Sequence, residues 1–538
     1  MSEFAESFSR LSDACARYAS LNDNQRRSAH QAAHTCGAAL ADDTTSPAER
    51  AAGLGQLSAL ATTTTAGAAT AGDALIGDVL ASAVTDWSQR GPADAAHLAG
   101  ESLDALERLY GALGRQSRTR HQLLRWLAVD GGTDALERFS RLLVSDPPQA
   151  DEAIDWAVEP LFRQPPADVA ALFPRLLDGL AHPVVAAVVL DLSHRMLREG
   201  VVSTHPAAER VDELAALLGE LAERLSKLAE TAASSAGDAE SRRHTQQAIA
   251  RSVALAAGLS EALAWIGARQ HVGKLYQALD VPHRRVVVEA AAALARLGER
   301  SGVETLVRAA ADPAARCRAL AYLEELDELD SVDPECRSRA ARAAGTLAAW
   351  LAEPSQFGFP PTSVELVEAV TQHWPGYEDA VDCTLLSYTY AMPQGELTGL
   401  GIVGPVTHAT SVDLLDLPTS DAFAYFAGWH AQHDEITECG VAELSEAERG
   451  HLGELVRLLA DLGFEDPQPV KLANFFGERV IVSTASRGGQ PGTVIVTGSQ
   501  MAEGSAPIWI AAGSTRHPIG PDDAYNIVKG REFLRIFN

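Results

Sequence analysis

The stretch GWHAQHDEI at residues 428–436 sets two histidines, His430 and His433, three positions apart and beside Asp434 and Glu435. On a helix that spacing puts both imidazoles on one face, which is enough for two ligands of one divalent ion. Zinc needs a third protein ligand, and Glu435, Asp434 or, from the segment GPVTHA, His408 could supply it. The pattern is not H-E-x-x-H, in which a general-base glutamate falls between histidines four apart. Phe423, Phe426, Ala427 and Trp429 would form the apolar side of the same helix, leaving the acids and imidazoles as its polar face. The polar-face reading is preferred. No cofactor is expected, with a divalent metal at His430, His433, Glu435 and His408 kept as the alternative.

Two weaker chemical signals stand nearby. GLGIVG at 399–404 satisfies G-x-G-x-x-G, but Pro418 breaks the chain before a second strand carrying the ribose-binding acid could form. A glycine-rich turn that permits tight packing is the preferred use. Cys383 and Cys439 could each act as a nucleophile with a histidine partner, although small buried residues of this type are commoner. No phosphate-binding G-x-x-x-x-G-K-[ST], G-x-S-x-G or kinase motif occurs.

These residues have to be positioned by a chain of 538 residues, long enough for several domains or one elongated repeat array. Aromatics make up 6% of it, and runs such as EAAAALARL and AGAATAGDAL point to closely packed helices. Forty-four basic against seventy-two acidic residues give a net charge of −28, which repels a phosphate backbone or an anionic membrane and suits a basic protein partner. Six scattered cysteines without C-x-x-C suggest neither a disulfide framework nor a zinc ribbon. The opening MSEFAESFSRLSDACARY starts with acids where a secretory leader would need a basic start and an apolar core, so a cytoplasmic location is expected. Four lysines against forty arginines, with so much alanine, suit a GC-rich bacterial coding sequence.

Self-similarity is visible at 279–326. Aligning Pro282 with Pro313 gives a period of 31 residues, bringing Arg285 onto Arg316, Val288 onto Ala319 and Ala290 onto Ala321. An aspartate ahead of Pro, Asp280 two places before Pro282 and Asp312 directly before Pro313, marks each helix start, since Pro lacks the N–H that the first turn would leave unsatisfied. Ala290, Ala291, Ala293, Leu294 and Leu297 make the apolar stripe, and Gly298 supplies a stop. Neither helix of such a unit buries its stripe alone, so neighbours must stack.

On Pro282, Val286, Ala290, Ala291, Leu294, Leu297 and Gly298, this segment resembles the bacterial HEAT-like repeat of the phycobilisome-lyase type. It departs from that pattern at Val287, where arginine is usual, and at Ala295, where glycine is usual. The resemblance implies an α-solenoid scaffold and carries no lyase activity with it. Weaker echoes at 181–197 and 204–230 extend the array upstream.

The expected fold is therefore mostly α, a HEAT-like α-solenoid followed by a C-terminal α+β domain. Residues 1–130 form an N-terminal helical cap, 131–353 the divergent solenoid and 354–538 the α+β domain, whose strands are TLLSYTYAM, ERVIVSTA, GTVIVTG and APIWIAA. SRGGQPG reads as a hairpin connection, and ETAASSAGDAESRR at 230–243 as an exposed loop. The expected function is a non-enzymatic protein–protein interaction scaffold, with Arg285, Arg316 and Arg318 on the repeat face. The rival expectation is a metal-binding or hydrolytic C-terminal module whose substrate the solenoid recruits.

Overall fold

A computed structural model describes residues 3–18, 21–63, 69–89, 97–149, 154–234, 239–353, 355–392, 395–432, 435–475, 477–497, 506–513 and 517–537. The chain is helical to residue 351 and then changes to two antiparallel sheets with helices, so it is mostly α followed by α+β. It divides into two compact units, Met1–Gly302 and Val303–Asn538. The composition shift at 352–365 therefore falls inside the second unit, where helix gives way to strand.

The first unit begins with α1 (Glu3–Arg17), α2 (Asp23–Ala41), α3 (Pro47–Thr63), α4 (Ala69–Ser88), α5 (Gly100–Ala112), α6 (Thr119–Asp130), α7 (Thr133–Ser145) and α8 (Ile154–Val158). It continues through α9 (Pro166–Ala170), α10 (Phe173–Leu176), α11 (Pro183–Arg198), α12 (Val211–Ser234), α13 (Ala239–Ile266), α14 (Val272–Leu279) and α15 (Arg284–Arg296), and α16 (Arg300–Ala309) crosses into the second unit. Many helices pack on the one two places further along, α2 on α4, α3 on α5, α4 on α6, and later α11 on α13, α12 on α14 and α13 on α15, while α12 and α13, and α14 and α15, also pack on each other. Such stacking buries stripes that no single helix pair could cover and is consistent with an α-solenoid.

Small residues set the spacing. A side chain at Gly37 would meet the Val79 carbonyl and lie 2.6 Å from Ser82 Cβ. Helices α12 and α13 run further into 230–243 than the sequence reading expects, and the remaining positions, 235–238, lie outside the described residues. By length and composition alone, residues 244–266 of α13 could cross a membrane, and half of that stretch is buried inside the array.

The second unit adds α17 (Pro313–Glu325), α18 (Arg339–Leu351), β1 (Ser363–Gln372), β2 (Val381–Met392), β3 (Gly395–Val403), β4 (His408–Thr410), α19 (Thr419–His430), β5 (Ile436–Gly440), α20 (Glu446–Asp461), β6 (Glu465–Phe475), β7 (Glu478–Arg487), β8 (Gln490–Thr497), β9 (Ile508–Ala511) and α21 (Pro521–Phe537). One sheet has the order β1-β2-β3-β4 and the other β5-β6-β7-β8-β9, all antiparallel. The hairpin read at SRGGQPG is the two-residue turn Gly488-Gly489 between β7 and β8, both glycines left-handed as such a tight turn requires. Period-2 alternation sends Val480 and Val482 to one core and Ile481 to another, so each sheet is covered on both faces. Helix α18 packs its Leu347 and Leu351 on Leu386, Tyr388 and Tyr390 of the first sheet, and α20 covers the second sheet with Leu452 and Leu459. The last helix of the alanine-rich region is thus one wall of the α+β fold.

Helix, four strands and helix occur twice, as α18-β1-β2-β3-β4-α19 and α20-β6-β7-β8-β9-α21. The closing helices share the pattern Asp-Ala-aromatic with a glycine five residues on: Asp421, Ala422, Phe423 and Gly428 match Asp523, Ala524, Tyr525 and Gly530, each 102 residues apart (421 to 523, 428 to 530). The helices cross through these glycines. A Cβ on Gly428 would collide with the Asn526 carbonyl, and one on Gly530 with the Ala424 carbonyl; 424 and 526 are again 102 apart, so the contact is reciprocal about a pseudo-two-fold. Because a backbone carbonyl cannot move aside, Gly428→Ala is expected to cost roughly 2–3 kcal/mol. Gly453→Ala, in the exposed face of α20 with open space around it, is expected to gain roughly 0.5–1 kcal/mol. Urea unfolding midpoints of the two variants check this opposite pair of signs.

Candidate functional site

Helix α19 ends at His430, and Ala431 is extended. The helical face on which His430 and His433 were read together is therefore not formed, and His433 and Asp434 lie outside the described residues. The His430 Nδ1 accepts a hydrogen bond from the buried Trp374 Nε1 at 3.2 Å, which leaves one ring nitrogen for any other partner. His408, on β4, is stacked on the Trp429 ring, 3.7 Å between centroids with 7° between planes, and has Trp350 and Phe426 edge-on. His430 flanks the same Trp429 ring. The structure thus brings His408 and His430 to one tryptophan, and Glu435 is exposed. Among the described residues, no three His, Cys, Asp or Glu side chains are grouped to hold a metal ion.

Burial lowers the His408 pKa from 6.5 to about 4. An unfolded chain accepts a proton near pH 6.5 that the folded site refuses, so the stability this ring contributes is complete above about pH 6.5 and is lost as the pH falls toward 4. His408→Phe, which keeps an aromatic surface against Trp429, is expected to show a smaller drop in unfolding midpoint between pH 7 and 4.5 than the wild type.

The GLGIVG segment lies within and just past β3, not in a phosphate loop. Its glycines do serve close packing: a Cβ on Gly399 would lie 2.6 Å from the Tyr388 hydroxyl, and one on Gly401 2.7 Å from Leu347 of α18. Cys383 is buried in the core beneath β2, and burial raises its pKa to about 11, which disfavours the thiolate a nucleophile needs.

Of the three arginines expected on the repeat face, Arg285 and Arg318 are exposed, the latter over the Tyr322 ring and bonded to its hydroxyl. Arg316 is buried. Its guanidinium donates to the carbonyls of Ala310, Ala311 and Ala341 at 2.8–3.0 Å, tying the end of α16 and the start of α18 to α17. The same device recurs in the first unit, where Arg50 donates to the carbonyls of Leu40 and Asp42, and Arg120 donates to Leu113 and the Asp146 carboxylate. Two of these arginines share a sequence signal, Ser46-Pro47-x-x-Arg50 and Asp312-Pro313-x-x-Arg316, which the Pro-start reading passed over. Arg316→Met leaves the buried Ala310 carbonyl and the part-buried carbonyls of Ala311 and Ala341 without this donor and is expected to cost roughly 1–3 kcal/mol in a denaturant titration, with Arg316→Lys recovering only part because an ammonium cannot span all three.

A second buried cluster gave no local spacing signal. His194 and His205 lie 5.2 Å apart with His194 Nδ1 3.4 Å from Glu261, and burial lowers both imidazoles to about 4. Neutral histidines suit a core that keeps its polar groups uncharged.

The duplicated domain offers the clearest recess. Between β1, the start of α19 and the end of α21 lies a cleft of about 560 Å³ with Val370, Phe423 and Leu534 in its lining. On its rim the Arg531 guanidinium forks onto the Asp421 carboxylate with two bonds of 2.7 Å, while Glu368 and Gln372 point in from β1. β1 is an edge strand and Leu366 is half exposed on it. Sequence reading missed this cleft because it depends on β1 lying at an edge of the first sheet, which long-range pairing decides. No family model matches the chain, and no curated protein or solved structure matches it either.

Proposed function

We propose that this chain is a non-enzymatic protein–protein interaction scaffold, in which HEAT-like helical repeats present or regulate the C-terminal α+β module. The partner is another protein of basic character, in a reducing, cytoplasmic setting. The observation that carries the reading is an asymmetry between two otherwise matching halves: β6 has its outer edge covered by β5, while among the described residues no strand covers the outer edge of β1, which has a cleft at its foot. Free strand edges are where sheets recruit other chains, and most folds shield them. A surface with a net charge of −28 favours encounter with a basic partner, and six cysteines outside any disulfide suit a reducing compartment.

The test is affinity capture from lysate of the source cells on the full chain, with proline placed in the edge strand. Ala369→Pro and Gln372→Pro stand at positions of opposite parity, so one of them removes an outward N–H and leaves the ladder to β2 intact. The variant that keeps the wild-type melting transition is the one to use. A stoichiometric protein retained by the wild type and lost on that variant is the expected outcome. Retention indifferent to proline would remove the edge from the reading, and retention of no protein at all would remove the scaffold itself.

A further inference from the structure

We infer that the free edge of β1 takes a basic, extended segment of a partner protein, added antiparallel to β1 with an aliphatic residue two positions ahead of a lysine or arginine; the inference rests on the interaction reading above. The occupied half supplies the pattern. In β6 a bulge precedes Lys471, and the next stretch, 471–475, pairs in regular register both with β7 and, through its outer edge, with β5. In β1 a bulge likewise precedes Glu368, and 368–372 pair in regular register with β2 while no strand among the described residues pairs with the outer edge. The two stretches correspond position by position, Glu368 with Lys471, Val370 with Ala473 and Gln372 with Phe475.

What fills the second half is Ile436-Thr437-Glu438 of β5. Ile436 packs into the central core, and the Glu438 carboxylate lies 3.0 Å from Lys471 and 3.3 Å from Lys529, with both ammonium groups over the Tyr525 ring. Two of the chain's four lysines are spent on this one strand.

In the first half the charge on the edge strand is reversed, since glutamate stands in the place of Lys471, and Phe423 replaces Tyr525 at the helix. Glu368 faces the empty cleft. The two arginines there are already engaged, Arg531 by Asp421 and Arg535 by Glu532. A strand entering as β5 does would set its first inward residue opposite Gln372 and its second opposite Val370, beside Glu368. Attraction to Glu368 selects a basic side chain there, whose aliphatic stem can lie along Val370, Phe423 and Leu534. The backbone of the added strand would supply affinity through the edge N–H and C=O groups, and the alternating pockets would supply selectivity.

The probes are two synthetic peptides with the sequence of residues 435–441 carrying Cys439→Ser, one keeping Glu438 and one with Glu438→Lys. In the intact chain β6 is already filled by its own β5, so of the two matching strands β1 is the one whose outer edge is open among the described residues, and exchange at 368–372 separates binding there from binding at the edges of β4, β5 or β9. The lysine peptide is expected to bind the full chain about tenfold more tightly than the glutamate peptide at low salt and to slow hydrogen exchange at 368–372. Glu368→Lys is expected to reverse the preference, which a merely unfolded variant could not do. The inference is overturned if neither peptide binds, if both bind alike to wild type and variant, or if the chain forms a concentration-dependent dimer that the tolerated edge proline abolishes, since the occupant would then be a second copy. Proline-sensitive capture of a native partner together with peptides that do not discriminate would overturn this chemistry while leaving the interaction reading standing.

Discussion

The contact on which the C-terminal unit depends is backbone against backbone, where Gly428 of α19 and Gly530 of α21 cross. With no side chain on either residue, each helix rests on a carbonyl of the other, Asn526 on one side and Ala424 on the other. That close approach makes the helix pair thin enough to serve both sheets at once. Cys383, Leu385 and Ile402 of the first sheet and Val480, Val482 and Ile495 of the second belong to one core with Phe423, Phe426 and Ile527 of the crossing helices between them. The outer helices α18 and α20 then close the far faces. Every feature of functional interest, from the Trp429 stack to the cleft under β1, is placed by that crossing.

The crossing also explains why two halves of one architecture differ in what they leave open. The connection out of α19 is short and returns as β5, which lies along β6 and brings Glu438 to Lys471 and Lys529. No strand described in the structure does the same for β1. A pseudo-symmetric fold thus carries one satisfied edge and one unsatisfied edge with opposite charge at the matching position. In the helical array the comparable economy is made with arginine. Arg50, Arg120 and Arg316 each rise from the first turns of a helix and satisfy carbonyls at the end of the preceding one, where a helix has no intrahelical donors left. Buried guanidinium groups are costly unless all their donors are used, and here the helix ends supply the acceptors.

Local pattern carried much of the architecture. The alanine stripe at 290–297 and the left-handed Gly298 give α15 and its stop, and Asp312 caps α17 through Ala314 N ahead of Pro313, as the Pro-start reading expects. The rule is not uniform, because α15 starts at Arg284 and not at Pro282, and His182 and His283 cap nothing with their side chains. The strand segments and the Gly488-Gly489 turn were legible for a similar reason, since β-branched alternation and adjacent glycines act over a few residues. The duplication was visible only as Asp-Ala-aromatic with a later glycine, a signal too short to stand out from 538 residues.

What the sequence by itself determined was the helical character of the first 350 or so residues, four of the nine described strands (β2, β7, β8 and β9), the change from helix to sheet near residue 352, and a net acidic charge, because propensity, capping and net charge are local or additive quantities. What only the tertiary structure decided was which elements meet. It assigned α18 to the sheet, placed Arg316 inside among carbonyls, ended α19 at His430 and stacked His408 on Trp429. It also gave β6 a strand on each side while β1, among the described residues, pairs with β2 alone. Those outcomes turn on contacts between residues tens of positions apart, such as Gly428 with Asn526 and Glu438 with Lys471, and nothing in the neighbourhood of either partner specifies the other.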